Sequence, residues 1–320
     1  MPKASPTSGR HRTRPRQRYA TMQLGQGAAR FQYEGSEWQL PAVHPVARPF
    51  LKWAGGKQWL APYAASIIPP TSSGTYYEPF LGGGAMFFAS ARSKAVLSDA
   101  NSELLTTYSV VRNAVEALIT KLGSFPYTRR FYEEIRRRQP RTDLNRACRM
   151  IYLNKTAWNG LYRVNLDGQF NVPFGDYVNP GICQVERLRA ASMALRSAAL
   201  RDCDFEDAVA EAGPGDAVYF DPPYITGHTN NGFLKYNAPL FSWDDQRRLA
   251  EVAKDLAERE VHVVVSNAAH AHVRRLYRGF HCYSLQRSSR IAADSRLRGS
   301  TREVILCSVP IAGVPTRQVP

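Results

Sequence analysis

The chain has 320 residues, of which 44% are hydrophobic and 22% charged, ordinary globular proportions that exclude a fibrous or low-complexity protein. No apolar run approaches the ~20 residues that a membrane-spanning helix needs. Lys and Arg number 42 against 27 Asp and Glu, and the resulting net charge of +15 favours a polyanionic partner, most simply nucleic acid.

Residues 1 to 45 read as a disordered basic tail. The stretch PKASPTSGRHRTRPRQR is rich in Pro, Ser and Arg, holds no acid and has no apolar period. No apolar core follows its arginines, so a secretory signal is not expected. The five cysteines (148, 183, 203, 282 and 307) are scattered and lack paired metal spacing, which fits a reduced, cytoplasmic protein.

Order is expected to begin near RPFLKWAGGKQWL. TYYEPF (75–80) reads as a strand running into the glycine turn LGGG, and AMFFASARS as a helix. KAVLSD (94–99) is a second strand, and NSELLTTYSVVRNAVEALITKLG a helix ending at Gly123. Strand–helix alternation of this kind predicts an α/β fold with a parallel, doubly wound, Rossmann-like sheet. From about 124 to 200 the alternation stops. FYEEIRRRQ and DLNRACRMIYLNK have helical periods, and LYRVNLDGQFNVPFG has the form of a hairpin turning at Asp167-Gly168. This region is expected to be a smaller, mainly helical insert. Alternation resumes with GDAVYFDPPY and continues through SWDDQRRLAEVAKDLAER, an amphipathic helix with Ser242 as N-cap. VHVVVSN (261–267) reads as a buried strand, and FHCYSLQR with REVILCSV as a closing antiparallel pair.

Three constellations carry chemistry. In EPFLGGGAMFF a strand, a glycine turn and a helix start let backbone approach a ligand closely, and Asp99 follows Gly82 by 17 residues, at the end of the next strand. An acid at about that spacing can hold ribose hydroxyls, which points to an adenosine-bearing cofactor without a pyrophosphate. The glycine run alone is equally compatible with an ordinary turn. KWAGGK (52–57) fails the phosphate-loop pattern, because Gln58 follows Lys57 and Leu51 stands five residues before Gly56, so ATP hydrolysis is disfavoured. Lys57 taken by itself also fits a solvated helix start. In YFDPPYI (219–225), two prolines stop a strand and form a stiff corner around Asp221, Pro222 and Tyr224. An aromatic exocyclic amine is a poor nucleophile until acceptors for its N–H hydrogens restore its lone pair. Asp221 and the Pro222 carbonyl suit that task, and the Tyr224 ring offers a stacking face for a base that has left the duplex.

With these residues assembled, the chain resembles the Dam-type, D12 class of N6-adenine DNA methyltransferases. The motifs FLKWAGGK, EPFLGGG, LSDANSELL, YLNKTAWNGLYRVN, QFNVPFG, VYFDPPY and RSSRIAAD…REVIL occur in the family's order from about 48 to 308. The resemblance implies a catalytic S-adenosylmethionine-binding domain over 46–123 and 201–310, with a target-recognition domain at 124–200. It implies cofactor contacts from Trp53, Lys57, Phe80, Gly82, Gly84, Asp99 and Asp221, and catalysis by Asp221, Pro222 and Tyr224 through direct displacement. It further implies double-stranded DNA as partner, read by Lys52, Trp158, Asn159, Leu161 and Arg163. In this scheme Arg163 reads guanine and Trp158 wedges beside the displaced base. A phosphate contact by Arg163 and a buried Trp158 stay open as alternatives. The implied target contains GAT, first of all GATC, with GATATC close behind, and a companion restriction endonuclease on the same site is compatible with such a family member.

Rival readings are fewer. Cytosine-C5 chemistry needs a cysteine after a proline, and none exists here. N4-cytosine methylation shares the turn, usually with Ser at the Asp221 position, and a non-catalytic DNA-binding module on the same fold would not need Asp99, Asp221 and Tyr224 together. No metal is expected, since His270 and His272 are too close in sequence for one helical face. The polar stretch TGHTNNGFLKYNAPLFSW after the turn is too long for a connector and is expected to close over the site.

Overall fold

A computed structural model describes residues 20–24, 28–33, 36–41, 47–68, 74–90, 92–165, 167–224, 241–288, 300–316 and 318–319. Its strands are β1 (Ala20–Leu24), β2 (Ala28–Tyr33), β3 (Ser36–Pro41), β4 (Tyr76–Glu78), β5 (Ala95–Ser98), β6 (Ala198–Arg201), β7 (Ala217–Phe220), β8 (His262–Ala268), β9 (His281–Ser288) and β10 (Ser300–Cys307). They form one sheet in the order β3-β2-β1-β9-β10-β8-β7-β4-β5-β6. The five strands from β8 to β6 are parallel throughout. β10 runs antiparallel between β8 and β9.

The parallel strands are near-continuous apolar runs because both faces of the sheet are covered. Successive residues alternate between two cores: Tyr76, Leu97, Tyr219, Val264 and Ile305 face one, and Tyr77, Val96, Phe220, Val265 and Leu306 the other. The first core is covered by α1 (Ala64–Ile67), α2 (Ala85–Ser90), α3 (Ser102–Asn113), α4 (Val115–Gly123), α5 (Arg129–Arg137), α6 (Asp143–Thr156) and α7 (Val185–Leu195). The second is covered by α8 (Phe205–Val209), α9 (Trp243–Glu258) and α10 (Ala271–Leu276). In α9 the side chains of Gln246, Leu249, Ala250, Ala253 and Leu256 are buried at helical spacing, and Ser242 with Asp245 closes a reciprocal capping box at its start. The inserted helices α5 and α6 share the first core with the sheet, through Tyr132, Ile135, Ile151 and Leu153.

The chain passes from β4 to β5 and β6 on one side, then returns to β7 and β8 on the other. The order therefore reverses between β4 and β7, and the crevice beyond their carboxyl ends is where open α/β sheets bind ligands. The glycine turn follows β4 and the Asp221 turn follows β7, so both motifs open into that crevice.

Three expectations need correction. The tail assigned to residues 1–45 is not all tail: β1, β2 and β3 form an antiparallel meander, and β1 pairs in parallel with β9. The helix expected to run unbroken to Gly123 is two helices, because Ala114 leaves helical geometry at φ −142 and ψ 38. The catalytic sheet resumes at Ala198 with β6, inside the stretch read as insert. The loop expected to close over the site, 226–243, lies outside the described residues up to residue 240, as do residues 1–19.

Candidate active site

The glycine turn takes its shape from positions where a side chain would not fit. Gly82 has φ +46, and a Cβ there would stand 2.7 Å from the Trp53 ring. Gly84 has φ +66, and its Cβ would meet the Tyr108 hydroxyl at 2.9 Å. That hydroxyl donates to the Gly82 carbonyl at 3.1 Å, which fixes the turn from beneath. Asp99 caps it from the side: its Oδ2 accepts the Gly82 N–H at 2.9 Å and its Oδ1 the Asn101 N–H at 3.0 Å. Burial raises the Asp99 carboxyl and these two N–H bonds oppose the rise. Each carboxylate oxygen can accept more than one hydrogen bond, so Asp99 retains capacity toward the crevice. Phe80 packs against Phe205, Phe220 and Phe241 at the crevice wall.

The Asp221 turn is held by a polar network. Lys57 Nζ, with a side chain only 4% exposed, lies 2.8 Å from Asp221 Oδ1 and 3.8 Å from Glu303 Oε2. It also donates to the Gly55 carbonyl at 2.9 Å and sits 4.7 Å from the Tyr224 ring centroid. Ser266 Oγ donates to Asp221 Oδ1 at 2.6 Å while accepting the Tyr219 hydroxyl at 3.0 Å. The carboxylate is thus gripped at one oxygen from two directions. Gln246 Nε2 donates to the Pro223 carbonyl at 3.3 Å, and Asn267 Nδ2 donates to Gln246 Oε1 at 3.0 Å, which locks the second proline. The Pro222 carbonyl takes no hydrogen bond among the described residues. Tyr224 donates its hydroxyl to Glu303 Oε2 at 3.0 Å. Burial, reinforced by the Asp221 and Glu303 charges, raises the Tyr224 phenol well above its ordinary value and keeps it a neutral donor. Beneath the turn, burial pushes the Glu78 carboxyl up to about 8; the hydrogen bond from Tyr76 opposes this and the Asp221 charge adds to it.

Lys52 and Asn159 line a cavity together with Trp53 and with Gly83 of the glycine turn, and Trp158, Leu161 and Arg163 are neighbours of Asn159 in the chain. The hairpin is present as two antiparallel bridges, Ala157 to Phe174 and Val164 to Phe170, with Gly168 at φ +73 in its turn. Trp158 is 44% exposed, so it is not a core tryptophan. Arg163 donates from Nε to Asn171 Oδ1 at 2.7 Å, which aims its guanidinium. Lys52 Nζ lies 4.3 Å from the Tyr177 ring centroid, and burial lowers its pKa.

Buried Asn154 ties this hairpin to the KWAGGK segment. Its Oδ1 accepts the Lys52 N–H at 2.8 Å, and its Nδ2 donates to the carbonyls of Lys52 at 2.6 Å and Gly160 at 3.2 Å. Gly160, at φ +62, meets the Lys52 side chain so closely that a Cβ would stand 2.3 Å from it. Trp53 bridges the two regions as well, stacking on Tyr162 with ring centroids 6.1 Å apart while bordering Gly82.

The sequence has counterparts among known proteins. The family model described as D12 class N6 adenine-specific DNA methyltransferase matches residues 53–291. The chain belongs to this family. Among its relatives, the Type II methyltransferase M1.LlaDCHI of Lactococcus lactis subsp. cremoris is 38% identical over 269 residues, covering 81% of this chain and 94% of its own length. The DNA adenine methylase of Vibrio cholerae serotype O1 (strain ATCC 39541) is 32% identical over 270 residues, covering 82% of this chain and 96% of its own. That of Escherichia coli (strain K12) is 34% identical over 229 residues, covering 69% and 80% respectively. As a D12 class member the chain is an adenine-specific DNA methyltransferase that takes its methyl group from S-adenosylmethionine, built on a Rossmann-like α/β sheet.

Sequence reasoning passed over Glu303, Ser266, Gln246, Asn171 and Asn154 as functional positions. A signal existed for some of them: Asn154, Asn171 and Glu303 stand inside motifs quoted for the resemblance, and Ser266 follows the apolar run of its strand. Among the described residues, no group of three or more His, Cys, Asp and Glu could hold a metal ion, and no helix is long and apolar enough to cross a membrane.

Proposed function

We propose that this methyltransferase modifies adenine N6 in a duplex site containing GAT, GATC in the first instance, after the base has turned out of the helix. The observation that carries the reading is the fixed Asp221 carboxylate, gripped at Oδ1 by Lys57 and Ser266, beside a Pro222 carbonyl without a partner among the described residues.

The crevice fits S-adenosylmethionine. Glycines at 82 and 84 keep the turn free of side chains, and Asp99 has acceptor capacity for ribose hydroxyls. Trp53, Phe80 and Asp221 border the same space, and Lys57 acts there through its pairing with Asp221. When bound, that donor supplies an electrophilic methyl group on a positively charged sulfur. The chain's part is to prepare the acceptor. Asp221 Oδ2 and the Pro222 carbonyl accept the two N6 hydrogens, which draws the nitrogen lone pair out of the ring system. Asp221 then takes the proton released when N6 is alkylated, and no covalent bond to the chain forms. One face of the Tyr224 ring is covered by the Lys57 ammonium, so the target base stacks on the other.

In this reading residues 124–197 are the target-recognition segment, and β6 returns the chain to the catalytic sheet. Arg163, aimed by Asn171, reads guanine O6 and N7 in the major groove. Lys52 reads a second guanine, Asn159 and Leu161 line the contact, and exposed Trp158 fills the gap left by the displaced base. The choice of GATC rests on the resemblance of NGLYRVN and QFNVPFG to the GATC-directed branch.

The test is mass spectrometry of modified nucleosides after incubation with S-adenosylmethionine and duplexes carrying GATC, GATATC or a scrambled sequence. N6-methyladenine confined to the GATC duplex is the expected result. Methylation of GATATC alone would move the target, and N4-methylcytosine would overturn the acceptor.

A further inference from the structure

Glu303 lies outside the stretch matched by the family model, on the antiparallel strand β10, where it pairs in register with Ala268. Its carboxylate is buried, with the side chain only 4% exposed, an expensive location for a charge unless it is paired. Two of its polar contacts belong to the proposed acceptor pocket. Oε2 accepts the Tyr224 hydroxyl at 3.0 Å and lies 3.8 Å from Lys57 Nζ. Lys57 in turn lies 2.8 Å from Asp221. A single ammonium is therefore shared by two carboxylates, one on the turn and one behind it.

That arrangement has a directional consequence. The hydrogen bond from Tyr224 fixes the rotation and tilt of its ring, the surface against which the base would stack. The pull of Glu303 on Lys57 keeps the ammonium over that ring and sets its reach toward Asp221 Oδ1. Without Glu303 the ammonium has Asp221 as its one carboxylate within ion-pair reach among the described residues, and the Tyr224 hydroxyl loses its carboxylate acceptor, leaving the Ser266 hydroxyl beside it.

We propose that Glu303 is a positioning residue of the methylation site: acting through Lys57 and the Tyr224 hydroxyl, it sets the geometry in which Asp221 and the Tyr224 ring receive the adenine. This rests on the reading of the Asp221 turn given above. It predicts an effect on the chemical step rather than on ligand affinity, because in this scheme Glu303 acts through Lys57 and Tyr224.

The experiment uses the full chain and whichever duplex the wild type methylates. Single-turnover methylation is measured for Glu303→Gln, Tyr224→Phe and Asp221→Ala, together with dissociation constants for the duplex and for S-adenosylmethionine. Fluorescence of a duplex carrying 2-aminopurine at the target adenine reports how the extruded base stacks. The expected result is a single-turnover rate lower by about 10- to 100-fold in Glu303→Gln, with both dissociation constants within about threefold of wild type and altered 2-aminopurine fluorescence. A wild-type rate, or a loss accounted for by weaker binding of either ligand, overturns the proposal. If Glu303→Gln melts without cooperativity, Tyr224→Phe decides, since it removes the same hydrogen bond without changing a charge; unchanged rate and fluorescence there also overturn it. Turnover by Asp221→Ala would instead sink the reading of the turn itself, so the two failures are distinguishable.

Discussion

The crevice and the recognition hairpin solve opposite problems a short distance apart. At the Asp221 turn the polar groups are buried and tied down: Lys57, Asp221, Glu303, Ser266 and Tyr219 form one connected set. At the hairpin the side chains proposed to read DNA are exposed or half-exposed, and rigidity comes from what lies behind them, the Asn154 clamp and the Asn171 bond to Arg163. Chemistry needs groups whose orientation is fixed before the substrate arrives. Recognition needs groups that meet an outside surface, so the frame is buried and the reader left out. The two meet at residues 52 and 53, one against the hairpin turn and the other against the glycine turn.

Substitutions can break this contrast at either end. Asp221→Ala should reduce methyl transfer by at least about 1,000-fold in a tritium-transfer assay, while the circular dichroism spectrum and DNA affinity hold; substantial turnover would remove the assigned mechanism. Asn154→Ala strands two carbonyls and an N–H in a buried place, and chemical denaturation should register a loss of about 2–4 kcal/mol. The same variant should lose discrimination between cognate and mismatched duplexes, because the frame moves with the reader. Arg163→Ala should leave stability alone and relax discrimination at one base pair by about 1–3 kcal/mol, measured as kcat/KM ratios across single-position variants of the site. An unchanged preference would return Arg163 to a phosphate-contact role.

A different kind of effect concerns Glu78. Its ordinary pKa of 4.5 is raised to about 8 in the fold, so the folded state holds the proton more tightly than the unfolded chain. Stability from this source is full below about 4.5 and is lost as pH rises through the window up to about 8. Glu78→Gln should flatten the decline of Tm across that window, and a decline as steep as in the wild type would show that Glu78 is not its cause.

The legible parts of the molecule were those governed by local pattern. TYYEPF, KAVLSD, VYFDPPY and VHVVVSN are apolar runs that end in polar, acidic or proline-containing stretches, and each is a strand of the parallel sheet. The helix at Trp243–Glu258 was equally plain, because its cap and its apolar period agree. The meander was missed because an Arg- and Pro-rich stretch precedes it, although RFQY and SEWQL alternate as strands should. Glu303 stood inside the quoted motif REVIL, but its role was not legible there. Its place beside Lys57 and Tyr224 depends on the pairing of β10 with β8, a register that no local pattern in the sequence specifies. Asn154 was hidden in the same way, since its partner Lys52 lies 102 residues away in the chain.

The order of the sheet also separates two stretches that are easily equated, the one that defines the family and the one that folds. The family match ends at residue 291, yet β10 lies beyond it and is inserted between β8 and β9. A chain trimmed to 53–291 would leave β8 and β9 facing each other across an empty lane, and β9 bare on its other side where β1 pairs. Unpaired strand edges of that kind recruit other chains, so such a fragment would aggregate although it keeps most of the catalytic motifs. A fragment that keeps both sides of β9 paired begins before β1 and runs past Cys307.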